Sequence, residues 1–230
     1  MRQSAPPNRH SSRFLLIAAL FVTCLIVSNI TAVKLIMVAG LVLPAAVIIF
    51  PISYILGDVL TEVYGYARAR QVIWLGFLCN LFAVAAIAVA GALPAAGFWG
   101  GQEAWDAILG ATPRILGASF AAYLVGELVN AYVLARLKVA TEGRFLWIRT
   151  IGSTLVGQLL DSAVFITIAF AGVMPAEIMA GAVVTQWLVK SAYEALATPL
   201  TYAAVGYLKR TEGVDVYDRD LHFRPFTLSE

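Results

Sequence analysis

The chain is 230 residues long, 60% hydrophobic and only 13% charged, with a mean hydropathy of +0.82 and a net charge of +2. That composition excludes an ordinary soluble domain and points to a polytopic membrane protein. So small a net charge carries no footprint for nucleic acid, and no long polar block is left for a second domain.

Residues 1–13, MRQSAPPNRHSSR, read as a polar tail. Phe14–Val27 comes after basic residues, as a signal peptide would. It lacks a small-residue cleavage site and more apolar runs come after it, so it reads as a retained first helix. Six apolar runs are long enough to cross a bilayer, at about 14–33, 38–61, 71–93, 113–136, 147–171 and 180–207. The last is long enough to be tilted, or kinked at Pro199. Between the third and fourth, 95–106 reads as a loop with interfacial Trp99 and Trp105. The expected fold is all-α: a bundle of six transmembrane helices over 14–208, with tails at 1–13 and 209–230.

Basic residues set an orientation. Arg2, Arg9 and Arg13 precede the first run, and Arg68 and Arg70 lie between the second and third. Arg136, Lys138, Arg144 and Arg149 lie between the fourth and fifth, and Lys209, Arg210, Arg219 and Arg224 come after the sixth. The opposite side has only Lys34 and Arg114, which read as helix-end anchors. The positive-inside rule therefore places both termini in the cytoplasm. Tyr54–Thr61 (YILGDVLT) is echoed by Tyr123–Asn130 (YLVGELVN), a pattern of internal hairpin repeats.

Charged side chains inside a span are costly and usually functional. Counted from the basic end of each helix, Asp58, Glu127, Asn80, Gln158 and Asp161 all fall about 14–18 Å deep, near the centre of a hydrocarbon core about 30 Å thick. Carboxylates and amides at one level make a polar pocket, the usual place for a solute or proton site. Glu194 lies further out, with Lys190 one turn away and spaced for an i,i+4 ion pair. Glu62 is near enough to the basic end to snorkel and reads as structural, as does Arg149 as an end anchor. Tyr54, Tyr123 and Tyr193 read equally as packing. Ala118, Ala122 and Gly126 form a small-residue ladder that suits close helix contact, within the chain or in a homodimer.

Catalytic signatures are missing. There is no phosphate loop and no HExxH, and the two histidines, His10 and His222, both sit in tails. Cys24 and Cys79 lie in apolar runs without metal spacing. An enzyme is not expected, nor a metal or other cofactor.

Three stretches then carry a resemblance: FPISYILGDVLTEVYGYARAR (50–70), IRTIGSTLVGQLLDS (148–162) and VKSAYEALATPLTY (189–202). Together they resemble the queuosine precursor transporter family, also described as vitamin uptake transporters. The likeness runs from about Ser28 to Lys209. It implies an inner-membrane importer of 7-cyano-7-deazaguanine or 7-aminomethyl-7-deazaguanine, which feed queuosine synthesis in tRNA. Under that resemblance Asp58, Glu127, Gln158 and Asp161 would contact the base, with Asn80 in support. Lys190 and Glu194 would complete the site, and Asp58, Glu127 and Glu194 are candidates for proton coupling. Two alternatives stay open: a membrane subunit that works with a separate ATPase module, and uptake of another vitamin-like heterocycle.

Overall fold

The computed structural model describes residues 11–38, 41–110, 113–172, 174–219, 222–223 and 225. The expected N-terminal tail, with Arg2, Arg9 and His10, lies outside the described residues as far as residue 10. Helix α1 covers Ser12–Thr31, and the Ser11 hydroxyl caps it by accepting from the Phe14 N–H at 3.0 Å.

The second expected span is corrected by the segment after α1. Residues 38–61 are not one helix. Strand β1 (Leu35–Val38) pairs antiparallel with β2 (Leu41–Pro44), and a single 3-10 turn (Ala45–Ile48) leads into helix α2, Phe50–Tyr64. Pro44 explains the change. The residue before a proline is driven to extended backbone, which suits Leu43 in a strand and not in a helix. Pro51 falls in the first turn of α2, where a missing N–H is tolerated.

Helix α2 ends at Gly65, with φ 86° and ψ 166°, a conformation that glycine alone adopts without strain. Helix α3 starts at once and covers Tyr66–Ala92. Arg68 and Arg70, expected between the second and third spans, therefore stand in the first turns of α3. A short helix α4, Gln102–Leu109, takes in only the last five residues of the 95–106 stretch expected as loop. Helices α5 (Pro113–Ala140), α6 (Leu146–Phe170) and α7 (Ala176–Glu212) complete the chain. Helix α7 runs as one 37-residue element through Pro199, about 55 Å at the usual rise.

Among the described residues there are six long helices: α1, α2, α3, α5, α6 and α7. Four stretches are long and apolar enough to cross a membrane: α1, α3, α6 and the Gln102–Ala140 stretch that contains α5. The 15 residues of α2 span only about 22 Å, short of a hydrocarbon core of about 30 Å. Helix α7 is broken up chemically by Glu177, Lys190, Glu194 and its basic last turn. The chain is a polytopic membrane protein whose second and last long helices differ from ordinary spans.

Helices α5 and α6 pack closely because small residues meet. A Cβ on Gly126 would come within 2.8 Å of Asp161 Cβ, and one on Gly157 within 2.9 Å of the Gly126 carbonyl. Gly126, the last rung of the expected ladder, is thus used inside the chain, and Ala118 and Ala122 are buried. The start of α1 and the end of α7 meet at one end of the bundle, the basic end. There the Ser11 hydroxyl donates to Glu212 Oε1 at 2.7 Å and the Tyr64 hydroxyl to Glu212 Oε2 at 2.8 Å. The C-terminal stretch folds back onto that end. Val216 N–H donates to the Val63 carbonyl at 3.2 Å, Tyr66 N–H donates to Asp218 Oδ2 at 3.0 Å, and Trp74 Nε1 donates to the Pro225 carbonyl at 2.6 Å. Asp218 thus caps α3, which has no capping side chain of its own.

Candidate functional site

Helix α2 carries two acids four residues apart, so both project from one face. Their surroundings differ completely. Glu62 is fully buried, and cations from three places converge on it. Arg149 holds it bidentately, Nη2 to Oε1 at 2.7 Å and Nε to Oε2 at 3.1 Å. Lys209 reaches Oε1 at 2.7 Å, and Lys138 stands 3.8 Å away while donating to the Glu62 carbonyl at 2.5 Å. Asp215, beyond the end of α7, joins Lys209 at 2.9 Å. Burial resists the charge on Asp215, but hydrogen bonds from Lys138 and Lys209 outweigh it and hold its carboxyl below the usual range. This corrects one expectation. Glu62, read as structural, does not snorkel, because its charge is matched inside the protein. Arg149, read as an end anchor, lies in the first turn of α6 at the basic end, 1% exposed and bound to Glu62.

Asp58 is also buried, at 1% exposure. Its Oδ1 accepts from Asn130 Nδ2 at 3.1 Å, its Oδ2 has no hydrogen-bond partner, and Glu194 of α7 lies near enough for its charge to act on it. Among the described residues no cation pairs with either acid. The expected i,i+4 pair of Lys190 with Glu194 does not form. Lys190 instead pairs with Asp161 across the α6–α7 interface, which frees Glu194 to turn toward α2.

In front of this acid pair lies a cavity of about 770 Å³. Its walls bring together Glu127 from α5, Gln158 and Asp161 from α6, and Lys190 from α7. The charge of Lys190 also reaches Glu127. Three tyrosines, Tyr54, Tyr123 and Tyr193, supply aromatic wall. Tyr54 is in hydrogen-bonding contact with Gln158, and the Tyr123 hydroxyl donates to the Ile73 carbonyl at 3.0 Å. Gly57 lies against the acid opposite: a Cβ there would stand in ordinary contact, 3.4 Å from Glu127 Oε2. The two echoed segments therefore face each other, Gly57 against Glu127 and Asp58 against Asn130.

The cavity lining comes from the C-terminal half of α1, the first turn of α2, the first half of α5, the second half of α6 and the first half of α7. All of these lie on the side away from the basic end. Toward that end the bundle is filled by the Glu62 cluster and the folded-back C-terminal stretch.

Of the residues singled out in the sequence, Glu127, Gln158, Asp161 and Lys190 line one cavity. Asp58 and Glu194 stand together behind it. Asn80 is elsewhere: it accepts from Asn29 Nδ2 at 3.0 Å and borders a second cavity of about 210 Å³. Gln186 was not legible as a site residue, yet it lines the main cavity. Its four-residue spacing from Lys190 was the signal. Arg114 does bind a helix end, donating from Nε to the Ile168 carbonyl at 2.7 Å and from Nη2 to that of Ala171. Among the described residues no group of His, Cys, Asp and Glu is arranged to hold a metal.

Such a cavity presents acceptors, amides, one cation and aromatic faces, which suits a planar, nitrogen-rich solute. Residues 44–204 match the family model described as "Putative vitamin uptake transporter". The chain is 30% identical over 178 residues to the "Probable queuosine precursor transporter" of Bacillus subtilis, covering 77% of this chain and 78% of that protein. It is 31% identical over 121 residues to the "Queuosine precursor transporter" of Escherichia coli, covering 53% of this chain and 52% of that one. A Haemophilus influenzae protein described as "Probable queuosine precursor transporter" is 30% identical over 53% of this chain and 49% of its own length. The matched stretch spans about half of the latter two proteins. No solved structure matches.

Proposed function

The chain belongs to the queuosine precursor transporter family, and we propose that it imports 7-cyano-7-deazaguanine, 7-aminomethyl-7-deazaguanine or both across the inner membrane through the cavity at Glu127. The observation that carries this reading is the assembly of Glu127, Gln158 and the Asp161–Lys190 pair around one aromatic-walled space. A guanine-like edge offers adjacent N–H donors that a carboxylate can accept bidentately, and a carbonyl that an amide or cation can serve. The tyrosines would stack on the bicyclic ring.

The basic end is the cytoplasmic end by the positive-inside rule, and both termini lie there. The cavity then faces the outside, and the Glu62 cluster closes the path inward. Import would require that cluster to part, as alternating access demands. Asp58 and Glu194 are neighbouring buried carboxyls that no cation pairs with among the described residues, the kind of group that proton coupling uses. With Glu127 they form the route by which proton movement would couple to uptake.

The test is uptake of labelled 7-cyano- and 7-aminomethyl-7-deazaguanine by purified protein in liposomes, with Glu127→Ala alongside. Uptake by the wild type alone, lost in the variant while its melting curve is kept, supports the reading. Uptake only after addition of an ATPase module would overturn the stand-alone transporter. Undiminished uptake by Glu127→Ala would overturn the cavity as the site.

A further inference from the structure

The face of α7 that meets the cavity carries polar groups at four-residue intervals: Gln186, Lys190 and Glu194. Lys190 is paired with Asp161 on α6. Glu194 lies off the cavity wall near Asp58 on α2, and neither of its oxygens accepts a hydrogen bond. Gln186 differs from both. It lines the cavity, and its Oε1 is buried with no hydrogen-bond partner. Such an orphaned acceptor is unfavourable unless something else satisfies it. Gln158 is the other cavity amide whose Oε1 is in this condition.

These two amides bracket the Asp161–Lys190 pair. Helices α6 and α7 are consecutive and antiparallel. Gln158 lies three residues before Asp161, toward the basic end, and Gln186 lies four residues before Lys190, toward the opposite end. At the helical rise they are about 10 Å apart along the bundle. That distance matches the long dimension of a bicyclic base carrying a small substituent. A base held at its hydrogen-bonding edge by Glu127 and Gln158 would present the substituent on its five-membered ring to Gln186.

We infer that Gln186 is a specificity-determining residue that reads the group at position 7 of the substrate. The inference rests on the deazaguanine reading of the cavity. A nitrile is only an acceptor and an aminomethyl ammonium is only a donor, whereas a glutamine amide offers both an N–H and a carbonyl. Gln186 can therefore serve either substrate. A glutamate in its place accepts only and adds negative charge, so it favours the ammonium. A leucine serves neither group.

The experiment measures liposome uptake of the 7-cyano and 7-aminomethyl compounds and of unsubstituted 7-deazaguanine by the wild type, Gln186→Glu and Gln186→Leu. Substrate-induced thermal shifts provide a second readout of the same preference. Gln186→Glu is expected to move the aminomethyl-to-cyano ratio about tenfold toward the aminomethyl compound, the scale of one charge-assisted hydrogen bond. Gln186→Leu is expected to bring both substituted compounds to the level of the unsubstituted one. Folded variants that keep the wild-type ratios within twofold in both readouts overturn the role of Gln186. A wild type that neither binds nor moves any of the three compounds overturns the deazaguanine reading itself, and this inference with it.

Discussion

Asp58 and Glu62 occupy the same helix one turn apart, both closed off from solvent, yet they have opposite surroundings. Glu62 meets Arg149, Lys209 and Lys138, so each of its oxygens is answered by a cation. Asp58 meets an amide and another acid, and its Oδ2 and both oxygens of Glu194 accept from no donor. A buried charge that is fully paired acts as a clasp, since removing one partner strands the others in low dielectric. A buried acid that is not paired resists being only structural, because nothing in the fold repays its desolvation. One turn of α2 thus separates a region built to hold from a region built to change state.

The sharpest way to break the contrast is Glu62→Ala. Arg149 would be left buried without its carboxylate, while Lys138 and Lys209 keep Asp215, and the expected loss is about 3–5 kcal/mol of stability. Folded yield and melting temperature in detergent would show it. Glu127→Gln is expected to behave in the opposite way. Melting should stay near that of the wild type, while uptake falls roughly 10–100-fold, as for loss of a charge-assisted hydrogen bond. If the two variants lost stability equally, the division between clasp and site would collapse.

A smaller effect is expected at the joint between α2 and α3. Gly65→Ala forces a side chain into a glycine-only conformation, at about 1–3 kcal/mol. Its Cβ would also lie 2.7 Å from Val216 Cγ1, so the C-terminal stretch must move. Limited proteolysis beyond Gly213 should speed up, and unchanged cleavage would show that the stretch does not depend on this contact.

The mildest change is at Asp215, whose side chain is 40% exposed. Its carboxyl is held below the ordinary range in the folded protein, so its contribution is complete above the unfolded value and is lost as pH falls through the folded one. Acid should therefore loosen the C-terminal stretch only at and below the ordinary carboxylate range, and Asp215→Asn should loosen it slightly at neutral pH. Hydrogen exchange at Val216, whose N–H is bonded to the Val63 carbonyl, reads both.

How far the sequence carried differs by residue. Depth counting placed Glu127, Gln158 and Asp161 at one level, and they share a cavity because helical rise converts position directly into height. The same count placed Asn80 with them. It failed because height says nothing of direction around the bundle, and Asn80 turns to Asn29 instead. Lys190 was readable as a paired cation, but spacing on its own helix offered Glu194, while packing supplied Asp161. The run at 38–61 looked helical from hydropathy alone, and a proline that hydropathy does not weigh turned its first part into a hairpin.

By itself the sequence determined that the chain lives in a membrane, where its charges gather at one end, and which rare polar groups interrupt the apolar runs. Those come from composition and from one-dimensional spacing, which solvent transfer and helix geometry make readable. Only the tertiary structure decided which polar groups meet. Pairing Glu62 with Arg149, Asp58 with Glu194 and Lys190 with Asp161 depends on the rotation and approach of whole helices. Those are set by side-chain volume at contacts such as Gly126 against Gly157, where the absence of a single Cβ fixes how α5 and α6 lie and so which acids share a wall.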